Sequence, residues 1–255
     1  MSTIKANTVT ASTTNGDMLL EGNGSGVANI GDAGFKVAGT AGVPMAALRT
    51  TSGTASSSTF LRGDGQWQAA GGGAWTYISS ATSTSSTSIE FTSDIDSTYE
   101  IYMFQLDNFD FTVANTSFNA QVSTDGGSSY LTGTDYFWNC SEVASYTASW
   151  NATSTSSGNT AQWRIMNFLD ADSAAGIVGL FYLGSPAGTA SQVRFWMNGT
   201  GVREGDSAII GLSFGTYDKA TILDVNAIRF ICFNPGSTTQ DAFAGTIRMY
   251  GLNKS

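Results

Sequence analysis

The chain contains no histidine, so no mechanism available to it can use an imidazole group. This absence excludes the Ser-His-Asp triad, the Cys-His pair and His-ligated zinc. Basic residues are also scarce, because 11 Lys and Arg stand against 20 Asp and Glu, which gives a net charge of −9. Binding to phosphate backbones depends on clustered Lys and Arg. We therefore predict no nucleic-acid partner.

Cysteines and long apolar runs are few as well. Cys140 and Cys232 are the two cysteines of the chain. They are too few for a disulfide framework, and each lies in an apolar, aromatic run, so we expect both thiols to be free and buried. No stretch approaches the roughly 18 apolar residues of a membrane helix. Residues 1–7 lack the apolar segment of a signal peptide, so we expect a chain that is made in solution and stays there.

Charge and aromatic residues are unevenly distributed along the chain. Residues 1–75 carry four basic and four acidic residues, so the whole excess of nine negative charges lies in residues 76–255. Only four aromatic residues fall in the first part, which is instead rich in glycine and in Asn-Gly, Asp-Gly and Gly-Asp turn pairs. A segment without a core of its own must stay disordered, dock on another surface or wind with copies of itself. The close backbone approach that glycine allows favours the last of these, as a β/coil shaft over residues 1–70.

From residue 74 onward the chain alternates strand-length runs of β-branched and aromatic residues with turn clusters. Residues 227–233 show the alternation clearly, and Asp125-Gly126-Gly127 is typical of a hairpin turn. Two Ser/Thr tracts, residues 79–88 and 153–160, have the composition of long polar loops. We predict an all-β fold, in which residues 71–255 form an antiparallel, jelly-roll-like β-sandwich. Strands are expected over residues 75–79, 89–92, 99–109, 118–123, 135–140, 162–168, 177–182, 192–197, 208–214, 227–233 and 246–252.

Paired carboxylates are the one kind of catalytic group that a chain without histidine plausibly offers. Glycan-cleaving enzymes use such pairs. The candidates are Asp94 with Asp96, Asp107 with Asp110, and Asp170 with Asp172. Each pair is placed at a loop or strand end, where solvated acids are ordinary, so we interpret them as surface residues and predict no enzymatic activity.

Metal and cofactor sites are not predicted either. The Asp-x-Asp spacing of two of these pairs offers oxygen ligands of the kind that Ca²⁺ takes. No EF-hand loop is completed around them. We therefore predict no metal ion and no cofactor.

Four aromatic residues near the second Ser/Thr tract are our candidates for contact with a ligand such as a sugar. Tyr and Trp rings offer an apolar face for stacking and a polar tip for hydrogen bonding. The alternative interpretation is that the same rings pack in the core. The candidates are Tyr136, Trp138, Tyr146 and Trp150.

Several segments of the chain resemble those of bacteriophage fibre proteins. Residues 52–67 (SGTASSSTFLRGDGQW) closely resemble a motif that recurs in phage tail fibres and related virion fibres. Residues 245–252 (GTIRMYGL) resemble the terminal strand of small phage receptor-binding tip domains, and residues 121–130 are similar to a strand and hairpin of those domains. Residues 3–10, with residues 16–22 after them, look like the N-terminal segments of phage fibre proteins.

The resemblance implies a homotrimeric virion protein, made in the bacterial host cytoplasm and then located on the phage tail or capsid surface. Residues 1–70 would be the anchor and shaft that join tail, baseplate or capsid proteins. Residues 71–255 would be the head that binds a host surface glycan or outer-membrane receptor without catalysis. Two alternatives stay open: a capsid head fibre or collar protein, and a glycan-cleaving tailspike that uses an acid pair.

Overall fold

The chain divides into two compact units, Met1–Gly71 and Gly72–Ser255. In the first unit the described residues form one hairpin of β1 (Thr59–Leu61) and β2 (Trp67–Ala69), closed by a hydrogen bond from Arg62 N to Gln66 O of 2.8 Å. Most of the predicted anchor and shaft lies outside the described residues. The computed structural model describes residues 56–63, 65–69, 73–146, 149–171, 176–187, 191–203, 207–217, 222–234, 237 and 239–253.

The described part of the second unit is built from antiparallel strands, and the residues that the structure describes contain no helix. In that part of the chain there is accordingly no helix with the length and apolar character needed to cross a membrane. The strands are β3 (Trp75–Ser86), β4 (Ser88–Phe91), β5 (Ile101–Phe111), β6 (Thr116–Ser123), β7 (Tyr136–Tyr146), β8 (Ser149–Thr160), β9 (Trp163–Leu169), β10 (Val178–Gly184), β11 (Arg194–Arg203), β12 (Ser207–Tyr217), β13 (Ala227–Phe233), β14 (Gln240–Asp241) and β15 (Phe243–Leu252).

These strands form two layers. The long sheet has the strand order β8-β7-β12-β11-β10-β5-β15-β3, and the short sheet has the order β9-β6-β13. Strands β4 and β14 both pair with β13, on the side away from β6. One residue pair, Arg203 with Leu169, joins the two sheets. The predicted all-β antiparallel sandwich is therefore confirmed.

The core lies between the two sheets and is rich in phenylalanine. Strand β15 alternates buried and half-buried residues along its whole length, as expected for a strand with one face on the core. Phe118 and Phe230 of the short sheet stack with ring centroids 5.7 Å apart, and Phe104 of the long sheet meets Phe230 edge-on at 5.4 Å. Such aromatic contacts add to the free energy gained by burying the rings.

Both cysteines lie in this interior, and neither forms a disulfide. The prediction of free, buried thiols is thus confirmed. Burial, with a smaller contribution from the nearby Glu142 carboxylate, raises the pKa of the Cys140 thiol to about 12. Both thiols are therefore held in the protonated, unreactive form.

The two Ser/Thr tracts are strands, so the prediction of long polar loops is wrong. The first tract falls mostly in β3 and the second in β8, and these are the two edge strands of the long sheet. Threonine is β-branched and favours extended backbone, and an edge strand exposed to solvent needs few apolar side chains. Composition alone therefore cannot distinguish such a strand from a loop.

The turn at Asp125-Gly126-Gly127 exists, but it does not close a hairpin. Gly126 and Gly127 have φ angles of +69° and +84°, as the turn prediction requires. Strands β6 and β7 do not pair with each other, because β6 pairs with β13 and β9 and β7 pairs with β12 and β8, so the prediction of a hairpin is wrong. The Asp125 carboxylate accepts hydrogen bonds from the Ser129 hydroxyl and amide and from the Ser123 hydroxyl, which lower its pKa to about 2.

Candidate functional site

A row of aromatic side chains crosses the outer face of the long sheet, the face turned away from the core. The row is set by strand register, because Phe214 on β12 pairs with Trp196 on β11, and Trp196 pairs with Tyr182 on β10. Beyond Tyr182, the same row of paired residues continues through Met103 on β5 and then onto β15. Successive side chains of a strand point to opposite faces, so the neighbouring Phe195 points into the core.

The rings in this row form a flat apolar surface open to solvent. Tyr182 and Trp196 stack with ring centroids 4.8 Å apart and planes 9° from parallel, and Trp75 contacts Tyr182 at 5.9 Å. Trp196 is 38% exposed and Phe214 is 53% exposed, which is high for residues of this size. Exposed aromatic faces held rigidly by a sheet are well placed to stack on a ligand.

A groove of about 970 Å³ lies beside the row. At its border Gly158 packs directly against the Phe137 ring, where a Cβ would come within 2.6 Å of Phe137 Cε1. The groove spans strands β8, β7, β12, β11, β10 and the start of β5. Its described lining residues are Glu100, Ile101, Phe137, Trp138, Asn139, Ser156, Ser157, Gly158, Gly184, Ser185, Arg194, Phe195, Trp196, Phe214, Gly215 and Thr216.

Polar groups converge on the same groove. Arg194 and Glu100 are both exposed there, so a guanidinium and a carboxylate face the solvent-filled space. The Asn139 side chain is fixed in place, since it donates to Ser154 Oγ at 3.0 Å and accepts from Ser141 Oγ at 2.7 Å. Ligand sites commonly combine apolar walls with a few positioned polar groups. This arrangement suits a ligand with an apolar face and a rim of hydroxyl groups.

The four aromatic candidates from the sequence lie in different surroundings. Tyr136 is fully buried in the core. Its hydroxyl donates to Leu131 O at 3.0 Å and accepts from Val122 N at 3.0 Å. Trp138 borders the groove but is largely buried, with its indole N–H donating to Thr160 Oγ1 at 2.9 Å. Tyr146 and Trp150 occupy the closed end of the β7–β8 hairpin, and their side chains lie outside the described part of the structure.

None of the described residues of the three acid pairs lines the groove. The Asp107 carboxylate forms an ion pair with Arg248 at 2.6 Å and borders, with Asp110, a separate cleft of about 380 Å³. Asp96 accepts hydrogen bonds from Thr98 N at 2.7 Å and from Tyr102 OH at 3.2 Å.

The described carboxylates of the first and last acid pairs accept hydrogen bonds from neighbouring residues. The exposed Asp94 adopts a positive φ and accepts from Ser93 Oγ at 2.6 Å. Asp170 accepts from Ala171 N at 2.7 Å, whereas Asp172 lies outside the described residues. In the part of the chain that the structure describes, no three acidic or cysteine side chains are grouped closely enough to hold a metal ion.

Sequence reasoning missed Trp196, Tyr182, Phe214 and Arg194, which form the centre of this site. Trp196 is flanked by Phe195 and Met197, so both faces of its strand are apolar and alternation does not reveal which one faces outward. On β7 the half-buried Phe137 and Asn139 line the groove, whereas the candidates Tyr136 and Trp138 are the adjacent, buried positions, of which Trp138 still borders the groove. Adjacent residues of a strand face opposite sides of the sheet, so a shift of one position selects the wrong face.

Comparison with known proteins adds no relative: no family model, curated protein or solved structure matches this chain.

Proposed function

We propose that this chain is a bacteriophage virion fibre protein whose C-terminal sandwich binds a glycan on the host surface without cleaving it. Residues 1–70 would join three copies to one another and to tail, baseplate or capsid proteins. The segments that resemble phage fibres support the virion role. The observation that carries the binding role is the exposed aromatic groove around Trp196.

The chemistry of the groove supports a sugar ligand. One face of a pyranose ring is made of C–H groups and stacks on an aromatic ring, while its hydroxyl groups need hydrogen-bonding partners. Trp196 and Phe214 would supply the stacking surface, and Arg194 with Asn139 would supply donors at its edge. Arg is well suited to this because its planar guanidinium presents several N–H donors in a fixed geometry.

The groove supports binding more than catalysis. Glycoside hydrolysis by the usual mechanisms needs two carboxyl groups on either side of the scissile bond. Of the described residues that line the groove, Glu100 is the one that carries a carboxyl group. The described members of the acid pairs predicted from the sequence do not line the groove.

The test is binding of the full-length protein to an array of purified bacterial lipopolysaccharides, capsular polysaccharides and wall polymers. We expect Trp196→Ala and Phe214→Ala each to weaken binding to any polysaccharide retained by at least about tenfold, which corresponds to about 1.4 kcal/mol. Phe60→Ala is the matched control, because Phe60 is a comparably exposed phenylalanine in the first unit. Failure to retain any polysaccharide, or unchanged binding by both groove variants, would overturn the proposal.

A further inference from the structure

Next to the aromatic row, the outer face of the long sheet carries two further rows of side chains without a single charge. We call these ten residues the charge-free patch. Strand register places them side by side across β8, β7, β12, β11 and β10. The two rows are Ser154, Ser141, Leu212, Asn198 and Leu180, and Ala152, Val143, Ile210, Thr200 and Val178.

The centre of the charge-free patch is strongly apolar and open. Ile210 is 57% exposed and Leu212 is 52% exposed, with Val143 beside Ile210. The exposed Val178 lies two strands away, beyond Thr200. Contiguous exposed apolar surface on a soluble protein is uncommon and usually marks a contact site. The absence of charge from the middle of a surface patch is also the composition found at the centre of protein interfaces.

The patch runs to an edge strand with little protection against pairing, because its one irregularity in pairing with β7, between Ser157 and Thr160, lies outside the patch. Strand β8 pairs with β7 on one side, and the described residues provide no partner on its other side. Its twelve residues include no charged residue and no proline. Natural sheets usually protect such an edge with lysine, proline or a bulge, because unpaired N–H and C=O groups attract another chain.

The charge distribution points to what covers this surface. The nine excess negative charges lie in residues 76–255, so two copies of the sandwich repel each other through most of their surfaces. Copies can approach at the charge-free patch without bringing like charges together. Polar sugars, in contrast, gain little from aliphatic Ile, Leu and Val side chains, which offer no flat ring.

We propose that the charge-free patch is the contact between sandwiches of neighbouring copies of this chain. The inference rests on the proposed fibre function, in which residues 1–70 hold the copies together. Such tethering raises the effective concentration of the sandwiches, so a modest apolar contact is enough to keep them associated. The aromatic groove lies along the side of the same face, next to the contact.

The test measures how fast an introduced cysteine reacts with a polar maleimide in the full-length protein. Cys140 and Cys232 are buried, so a new surface thiol dominates the reaction. Val143→Cys and Ile210→Cys place that thiol in the patch. The matched controls are Val113→Cys and Ile222→Cys, since both residues are exposed outside the patch and Val113 is about as exposed as Val143 (36% and 38%). We expect the patch thiols to react at least about tenfold more slowly than the controls.

Light scattering on the same samples identifies what protects the patch, with 26.6 kDa as the mass of one chain. Slow labelling in a sample whose mass is a multiple of this value supports the proposal. Slow labelling in a monomer would mean that the chain covers its own patch, and would overturn it. Labelling at the control rate, whatever the mass, would also overturn it. Polysaccharide binding by the unmodified protein is measured separately, so failure of the adhesion proposal remains distinguishable.

Discussion

The outer faces of the two sheets are opposite in character. On the short sheet, β6 turns Ser117, Asn119 and Gln121 away from the core, yet all three are buried. On the long sheet, β12 turns Ile210, Leu212 and Phe214 away from the core, and all three are more than half exposed. Polar side chains are thus buried on one sheet while large apolar side chains are open to solvent on the other.

The polar face of the short sheet is closed by a chain of specific contacts. Arg229 Nε donates to Gln121 Oε1 at 2.9 Å, and the Arg229 guanidinium lies 4.2 Å from the centre of the Tyr130 ring. Tyr130 in turn donates to Glu90 Oε2 at 3.2 Å. These groups pair with one another and cover Gln121, although the buried Asn119 Oδ1 on the same face has no hydrogen-bond partner. The outer face of the long sheet has no equivalent cover among the described residues.

Folding and binding place different demands on the outer faces of the two sheets. Burial between the sheets accounts for the stability of the sandwich, and the exposed apolar residues of β12 contribute nothing to that burial. Their presence on the surface is therefore better explained by contact with another molecule. Substitutions should separate the two roles, since core changes would alter stability and outer-face changes would alter binding.

The largest effect is expected in the core. Phe118→Ala and Phe230→Ala should each lower the free energy of unfolding by about 3–5 kcal/mol, because each leaves a cavity between the sheets. Phe214→Ala should change it by less than about 1 kcal/mol, since the ring is mostly in solvent. Urea unfolding followed by tryptophan fluorescence measures all three. A large loss of stability in Phe214→Ala would break the distinction between the two faces.

A smaller loss is expected from the sealed polar face. Gln121→Ala removes the partner of Arg229 Nε and of Ala161 O, to which the Gln121 amide donates at 2.9 Å. Leaving buried polar groups unpaired typically lowers stability by about 1–3 kcal/mol. Ser156→Ala, at an exposed position on the outer face of the long sheet outside the charge-free patch, is the control and should be neutral. Equal urea midpoints for the two variants would contradict the assignment of a sealed face.

High pH should weaken the whole sandwich. Burial raises the pKa of Tyr102 to about 12, as it does for the Cys140 thiol. In the unfolded chain these groups ionise near pH 10 and 9, so the folded chain holds more protons in alkaline solution. Stability is then fully present below about pH 9 and falls as the pH rises toward about 12.

Urea midpoints between about pH 8 and pH 11 measure this decline. The Cys140→Ala variant should show a shallower decline, because one of the proton-holding groups is gone. A midpoint that stays constant over this range would contradict the pKa changes attributed to burial.

The sequence predicted the strands with clear alternation and failed where alternation was absent. Residues 227–233 were expected as a strand and match β13. The Ser/Thr tracts were missed because edge strands need not alternate. The groove was missed because it depends on the pairing of β7 with β12, which are distant in sequence, and no local pattern encodes such a pairing.

The smallest expected effect concerns Arg194 at the rim of the groove. Arg194→Gln should leave the urea midpoint unchanged, because the side chain is exposed, and should weaken polysaccharide binding by about 2- to 10-fold, the value of one hydrogen bond. Arg194→Lys separates geometry from charge: if the planar guanidinium matters, lysine should bind as weakly as glutamine at every salt concentration. Full binding by the lysine variant at low salt, lost as salt is added, would instead point to an anionic sugar attracted by charge. Either result still places recognition on the open face of the long sheet, whereas unchanged binding by both variants would remove Arg194 from the site.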